Sequence, residues 1–179
     1  MFTCKLPVPA DWEAQLQRSL MQKSRKRPTK VYICSPCRDR NRNEMWRNMM
    51  AARIYMYIVW RQQKYVAQAT HGYLPMFLND DNQAEHWSAL GIGQVLLRHS
   101  DMLYVCGDRL SNGMISEIKY AGKCKKPIIV FNKAIFNDVS ECLDGIYGAK
   151  RRLKLETDKQ LQDLALSTAE LFTEVSENA

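Results

Sequence analysis

The 179-residue chain has no apolar run of eighteen residues, so no transmembrane helix is expected. Residues 1–10 are mixed in composition and lack a long apolar core, which argues against a secretory signal. Internal repeats and low-complexity segments are absent. The six cysteines (4, 34, 37, 106, 124 and 142) are scattered and form one CxxC, Cys34 to Cys37. A zinc site needs a second pair at ligand spacing, and a redox CxxC usually opens a helix. Here Cys34 falls on an expected strand and Cys37 in the loop behind it. No metal or cofactor is therefore expected, and free thiols fit a reducing cytoplasm.

Hydrophobic residues make up 46% and charged residues 25%, a balance that fits one soluble domain with a sizeable core. The net charge of +7 is uneven: residues 1–64 carry +10 and residues 65–179 carry −3. The basic half draws anionic ligands, from nucleotide to nucleic acid. No interleaved aromatics, zinc finger or RNP-type strand accompany these charges, so sequence-specific nucleic-acid recognition has little support.

The pattern alternates strand and helix. Strands are expected at 30–34, 65–69, 102–106 and 127–131, and helices at 44–62, 85–99 and 111–123. In the first helix Trp46 and Trp60 read as core, because its apolar residues cover more than one side. In the second, Ala89, Ile92, Val95 and Leu96 share one face. A peripheral helix is expected at 12–22, capped by Asp11, and another at 156–175. The alternation implies an α/β fold: a flavodoxin-like or Rossmann-like three-layer sandwich with a mostly parallel sheet of four or five strands, ordered 2-1-3-4, plus terminal helices. The expected divisions are an N-terminal helix and basic linker (1–29), an α/β domain (30–135) and a C-terminal helical extension (136–179).

The segment Ser111-Asn-Gly-Met-Ile-Ser-Glu117 carries the most functional information. Ser111 is a good N-cap, and Gly113 permits a close backbone approach. Free amides at a helix start attract anions such as phosphate. Glu117 follows on the second turn, near the carboxyl end of the preceding strand. An ordinary capped helix with a solvated glutamate fits the same residues equally well. Ser35 and Arg38 after the first strand, His71 after the second and Asp108 after the third should gather on that same side of the sheet. Each has a plainer reading as a turn or strand-end residue.

Several runs together resemble the nucleoside 2-deoxyribosyltransferase-like superfamily, which includes deoxynucleoside 5′-monophosphate N-glycosidases. They are Val31-Tyr-Ile-Cys-Ser-Pro36, Asn43 opening a helix, Val66-Ala-Gln-Ala-Thr-His71, Leu97-Arg-His-Ser-Asp101 and the pattern Ser111-x-Gly113-x-x-x-Glu117. Closer still is a less characterised bacterial and phage branch, matched by Tyr32-Ile-Cys-Ser-Pro36, Phe77-Leu-Asn-Asp80 and Gly107-Asp-Arg-Leu-Ser-Asn-Gly-Met-Ile-Ser-Glu-Ile118. The resemblance covers about residues 30–131. It implies an N-glycosidase or deoxyribosyltransferase with Glu117 as nucleophile. Ser35, Arg38, Asn43, His71, Asp108, Ser111 and Gly113 would bind a nucleoside or nucleotide. Such relatives carry an aspartate about eight residues before the strand-three aspartate; counting back from Asp101 gives Gly93. That departure keeps open a catalytically silent nucleotide-binding pocket. The basic half keeps open an interaction protein of a mobile element. The resemblance also implies a homo-oligomer, most simply a dimer, with Trp87 and Leu90 available for apolar contact.

Overall fold

The structure is a computed structural model and describes residues 27–39, 41–79, 81–159 and 161–163. Inside its sheet lies β1 (Lys30–Cys34), a strand buried on both faces, which explains its near-continuous apolar composition. β2 (Val66–Gln68) pairs on one side of it and β3 (Met102–Val105) on the other. β4 (Ile128–Val130) and β5 (Leu153–Leu155) complete a sheet ordered β2-β1-β3-β4-β5, with every pairing parallel. The expected order is therefore present. The fifth strand arises within the segment assigned to a C-terminal helical extension, so the sheet continues well past residue 135.

Helices cover both faces, which gives the three-layer, flavodoxin-like arrangement. On one face α1 (Arg42–Gln63) packs Ala52, Tyr55, Ile58 and Val59 against Val31, Ile33, Tyr104 and Phe131. Buried Leu161, from the helical turn at 161–163, joins this cluster. On the other face lie α2 (Gln83–His99), α3 (Asn112–Lys123) and α4 (Phe136–Cys142). Their Leu97, Met114, Ile118 and Val139 meet Tyr32, Cys34, Leu103, Val105 and Ile128. Successive β1 residues thus serve opposite layers, as strand pleating requires. The expected helix at 12–22, and residues 164–175 of the last one, lie outside the described residues. None of the described helices is long and apolar enough to cross a membrane.

Two expectations about helix faces need correction. Trp46 and Trp60 are each 52% exposed rather than core. α1 touches the sheet along one stripe only, and both indoles fall outside it. There they lie under cations instead, Arg53 at 6.0 Å from the Trp46 ring and Lys64 at 5.3 Å from the Trp60 ring. In α2 the buried residues are Gly93 and Leu97, while Val95 is 56% exposed and Ile92 is exposed too. The helix carries two neighbouring apolar arcs. The one containing glycine faces the sheet, because it admits the closer approach.

A contrast within α1 tests this packing. Met49→Ala should cost about 2–5 kcal/mol of unfolding free energy, because Met49 is buried. Trp46→Ala should cost about 1 kcal/mol or less, mostly its cation–π contact. Urea denaturation of the two variants measures both.

Candidate functional site

The chain runs from β1 to β2 on one side and crosses to β3 on the other. The topological switch point therefore falls at the carboxyl ends of β1 and β3, the place where doubly wound sheets take ligands. Tyr32 and Cys34 project from β1 towards α3, and the buried phenol needs a partner. Its oxygen lies 2.6 Å from Glu117 Oε1 and 3.0 Å from Thr70 Oγ1. A phenol has one proton, and an ionised carboxylate only accepts. Tyr32 therefore donates to Glu117, and Thr70 donates to Tyr32.

Glu117 is half-buried on the second turn of α3. Burial raises its pKa from 4.5 to about 6, against the hydrogen bonds from Tyr32 and from the Cys34 thiol that hold it down. Burial and the neighbouring carboxylate push the Cys34 thiol well up, so it stays protonated. Ser111 caps this helix as expected, its Oγ accepting from the Met114 N–H at 3.3 Å.

Ser35 and His71 form a second buried pair, with Ser35 Oγ 2.7 Å from His71 Nε2. Burial lowers the imidazole from its ordinary 6.5 to about 4, so it is neutral at pH 7. Thr70 and His71 belong to one 3-10 turn after β2. That turn thus contacts Tyr32 through one residue and Ser35 through the next. Ser35, His71 and Glu117 are thereby joined through Thr70 and Tyr32.

Gly93 of α2 closes the group from above. A Cβ built on it would lie 3.1 Å from the Tyr32 hydroxyl, 3.6 Å from Thr70 Oγ1 and 3.7 Å from Glu117 Oε1. Position 93 thus faces the carboxylate directly. In this chain the Tyr32 hydroxyl crowds that place.

The remaining candidates are peripheral. Arg38 is exposed and pairs with Asp81 at 3.5 Å. Asn43 is exposed in the first turn of α1, where Asn41 is the cap and accepts its N–H at 2.9 Å. Asp108 is exposed on the loop after β3. Gly113 is exposed at the start of α3, and an added Cβ would meet only Ser111 Oγ, at 3.9 Å. Asp80 lies outside the described residues. The loops themselves are tied together: Arg109 pairs with Asp39 at 3.3 Å, and Asn132 Nδ2 donates to the Gly107 carbonyl at 3.2 Å. Gly107 has a φ of 106° and sits where a Cβ would lie 2.7 Å from Pro36 Cδ, so this turn accepts only glycine.

Tyr32 and Thr70 complete the cluster, and neither stands out in the sequence as a site candidate. A tyrosine inside a fully buried strand was the available signal, since its hydroxyl has to be satisfied internally. Cys34 is a buried free thiol, and Cys37 is half-buried in the loop behind it. Among the described residues, no group of three or more His, Cys, Asp and Glu could hold a metal ion.

His71 makes the fold acid-sensitive. Its folded pKa is lowered, so the unfolded chain binds the extra proton between pH 6.5 and about 4. The stabilisation is full above pH 6.5 and is lost as pH falls towards 4, by up to about 3 kcal/mol. Glu117, with its raised pKa, acts in the opposite sense between pH 4.5 and about 6. In thermal melts from pH 7 to pH 4, His71→Gln should therefore lose less stability on acidification than the wild type.

No curated protein matches the chain. Residues 29–131, from the entry to β1 through the residue after β4, match the model of a domain of unknown function, DUF7768. The match contains every residue of the Tyr32–Thr70–Glu117 cluster and the Ser35–His71 pair, and it covers more than half of the sequence: the chain belongs to the DUF7768 family.

Proposed function

We propose that this protein cleaves or transfers the N-glycosidic bond of a nucleoside or nucleotide, with Glu117 as the nucleophile. The observation that carries this reading is the Glu117 carboxylate. It is held by the Tyr32 O–H at 2.6 Å beside the switch point between β1 and β3, with a pKa of about 6 that leaves it mostly ionised at pH 7. One Glu117 oxygen would attack the anomeric carbon. A carbon–oxygen bond forms as the carbon–nitrogen bond breaks, and the base leaves with the electron pair and takes up a proton. Water, or a second base, then displaces the carboxylate and restores it. The Tyr32 hydrogen bond orients the attacking oxygen. His71 is neutral at pH 7, which suits a hydrogen-bonding role towards Ser35 or substrate rather than that of a cationic acid. Amides at the start of α3 beside Ser111 and Gly113 would receive a phosphate.

A second reading, nucleotide binding without turnover, is favoured by Gly93. With glycine there, protonation of the leaving base falls to solvent or to the substrate itself.

Chromatography of a panel of nucleosides and 5′-monophosphates tests both readings. For the enzyme, Glu117→Gln should lower turnover by roughly 10³-fold or more while binding persists. The rate should rise with pH through about 6 as Glu117 ionises, then level off. Binding without turnover, little changed by Glu117→Gln and weakened by Ser111→Ala, supports the second reading instead.

We also propose self-association through the outer side of α2, where Trp87 is 64% exposed and Leu90 and Val95 are exposed beside it. Light scattering at micromolar concentration should give a dimer mass, and Val95→Glu should shift it to the monomer.

A further inference from the structure

In a parallel sheet every strand begins at one edge and ends at the other, so segments leading into strands share one surface. Here that surface is strongly basic. Among the described residues, the segments 27–29, 61–65, 98–101, 123–127 and 144–152 hold ten Lys and Arg against two Asp. At the opposite edge, around the candidate site, the described residues of segments 35–42, 69–82, 106–111, 131–135 and 156–158 hold four against five Asp and Glu. The two acids on the basic edge are already engaged, Asp101 with Arg27 and Asp144 with Lys150.

The segments are also physically joined. Lys126 Nζ donates to the Arg98 and Ser100 carbonyls, and Arg152 Nη2 donates to the Gly122 carbonyl at 3.3 Å. Those two side chains are turned inward. Arg98, Lys123, Lys125 and Arg151 are exposed and make no ion pair among the described residues. Five strands at sheet spacing make this edge about 19 Å wide.

One end of the band has a shaped feature. Gly145 and Gly148 adopt left-handed φ values of 76° and 67° and turn the chain sharply between α4 and β5. Between them Tyr147 projects into solvent, 95% exposed. A groove of about 450 Å³ lies along this loop, lined by Tyr147, Ile146, Lys150 and Arg151 among others. An exposed ring beside cations is the arrangement on which an unpaired base stacks while its phosphates meet Lys and Arg.

We propose that this edge binds single-stranded nucleic acid, with a base stacked on Tyr147 and the backbone running across Arg151, Lys123, Lys125 and Arg98. A single strand fits better than a duplex, because stacking on Tyr147 needs an unpaired base. The loop 144–152 lies beyond the residues that match the family model. The proposal is independent of chemistry at Glu117, which stands at the other end of the strands.

Fluorescence anisotropy with a labelled oligothymidylate of about 12 nucleotides tests it. Binding should weaken as salt rises. The triple variant K123E/K125E/R151E should bind at least about 10-fold more weakly, with a log–log salt slope reduced by about 2. Its three sites are exposed, and an unchanged thermal melt checks that the fold is kept. Tyr147→Ala should weaken the single strand severalfold and leave duplex binding unchanged. Arg42→Glu at the opposite edge should bind like wild type. Wild-type binding by the triple variant would overturn the proposal. So would an equal effect of Tyr147→Ala on both nucleic acids, or displacement of the oligonucleotide by polyglutamate or phosphatidylserine vesicles as effectively as by unlabelled oligothymidylate.

Discussion

The hydrogen bond from Tyr32 to Glu117 is the constraint around which the site is arranged. A carboxylate taken partly out of water is costly unless a donor meets it. Tyr32 supplies that donor from the most buried strand of the sheet. Its hydroxyl in turn needs Thr70 as a donor, which draws the turn after β2 against β1. Because Thr70 and His71 are adjacent, the same turn brings His71 to Ser35. The phenol also occupies space below α2, and Gly93 is the residue that lets the helix come down over it. One interaction thus couples the first two strands, α2 and α3.

The fold makes this arrangement robust. Strand order β2-β1-β3 puts the switch point beside β1, and the loops bordering it are tied by Arg109 to Asp39 and by Gly107 packed on Pro36. All-parallel pairing then separates the molecule's chemistry into two ends. Carboxylate, serine and histidine gather where strands finish. Lysines and arginines gather where strands start. The separation places any charge-driven partner of the basic edge far from Glu117.

Much of the fold was legible in the sequence. The runs 30–34, 102–106 and 127–131 are apolar and of strand length, and turn residues bound them, so parallel strands between helices followed. Ser111 was legible as a cap because a serine before an amphipathic run has few other roles. β5 was not legible: three residues, Leu153 to Leu155, carry too little pattern and form a strand only because β4 offers an open edge. The exposure of Trp46, Trp60 and Val95 was hidden as well. Periodicity identifies an apolar face but not which of two such faces meets the sheet. Gly93 was found as a missing acid, but its nearness to Tyr32 depends on how closely α2 approaches β1.

Charge shows the same division. The sequence by itself determined the net positive charge, the α/β alternation, the capped helix and the carboxylate at position 117. It pointed to the first 64 residues as the basic region, since charge can be summed only along the chain. The tertiary structure decided otherwise for the described residues. It collected Arg61 and Lys64 from the first part with Lys123, Lys125, Lys150 and Arg151 from the acidic remainder. It also decided that Tyr32, Thr70 and Glu117 would meet, residues separated by dozens of positions. Local pattern reports on contacts within a few residues, whereas a parallel sheet brings together strand ends from across the whole chain.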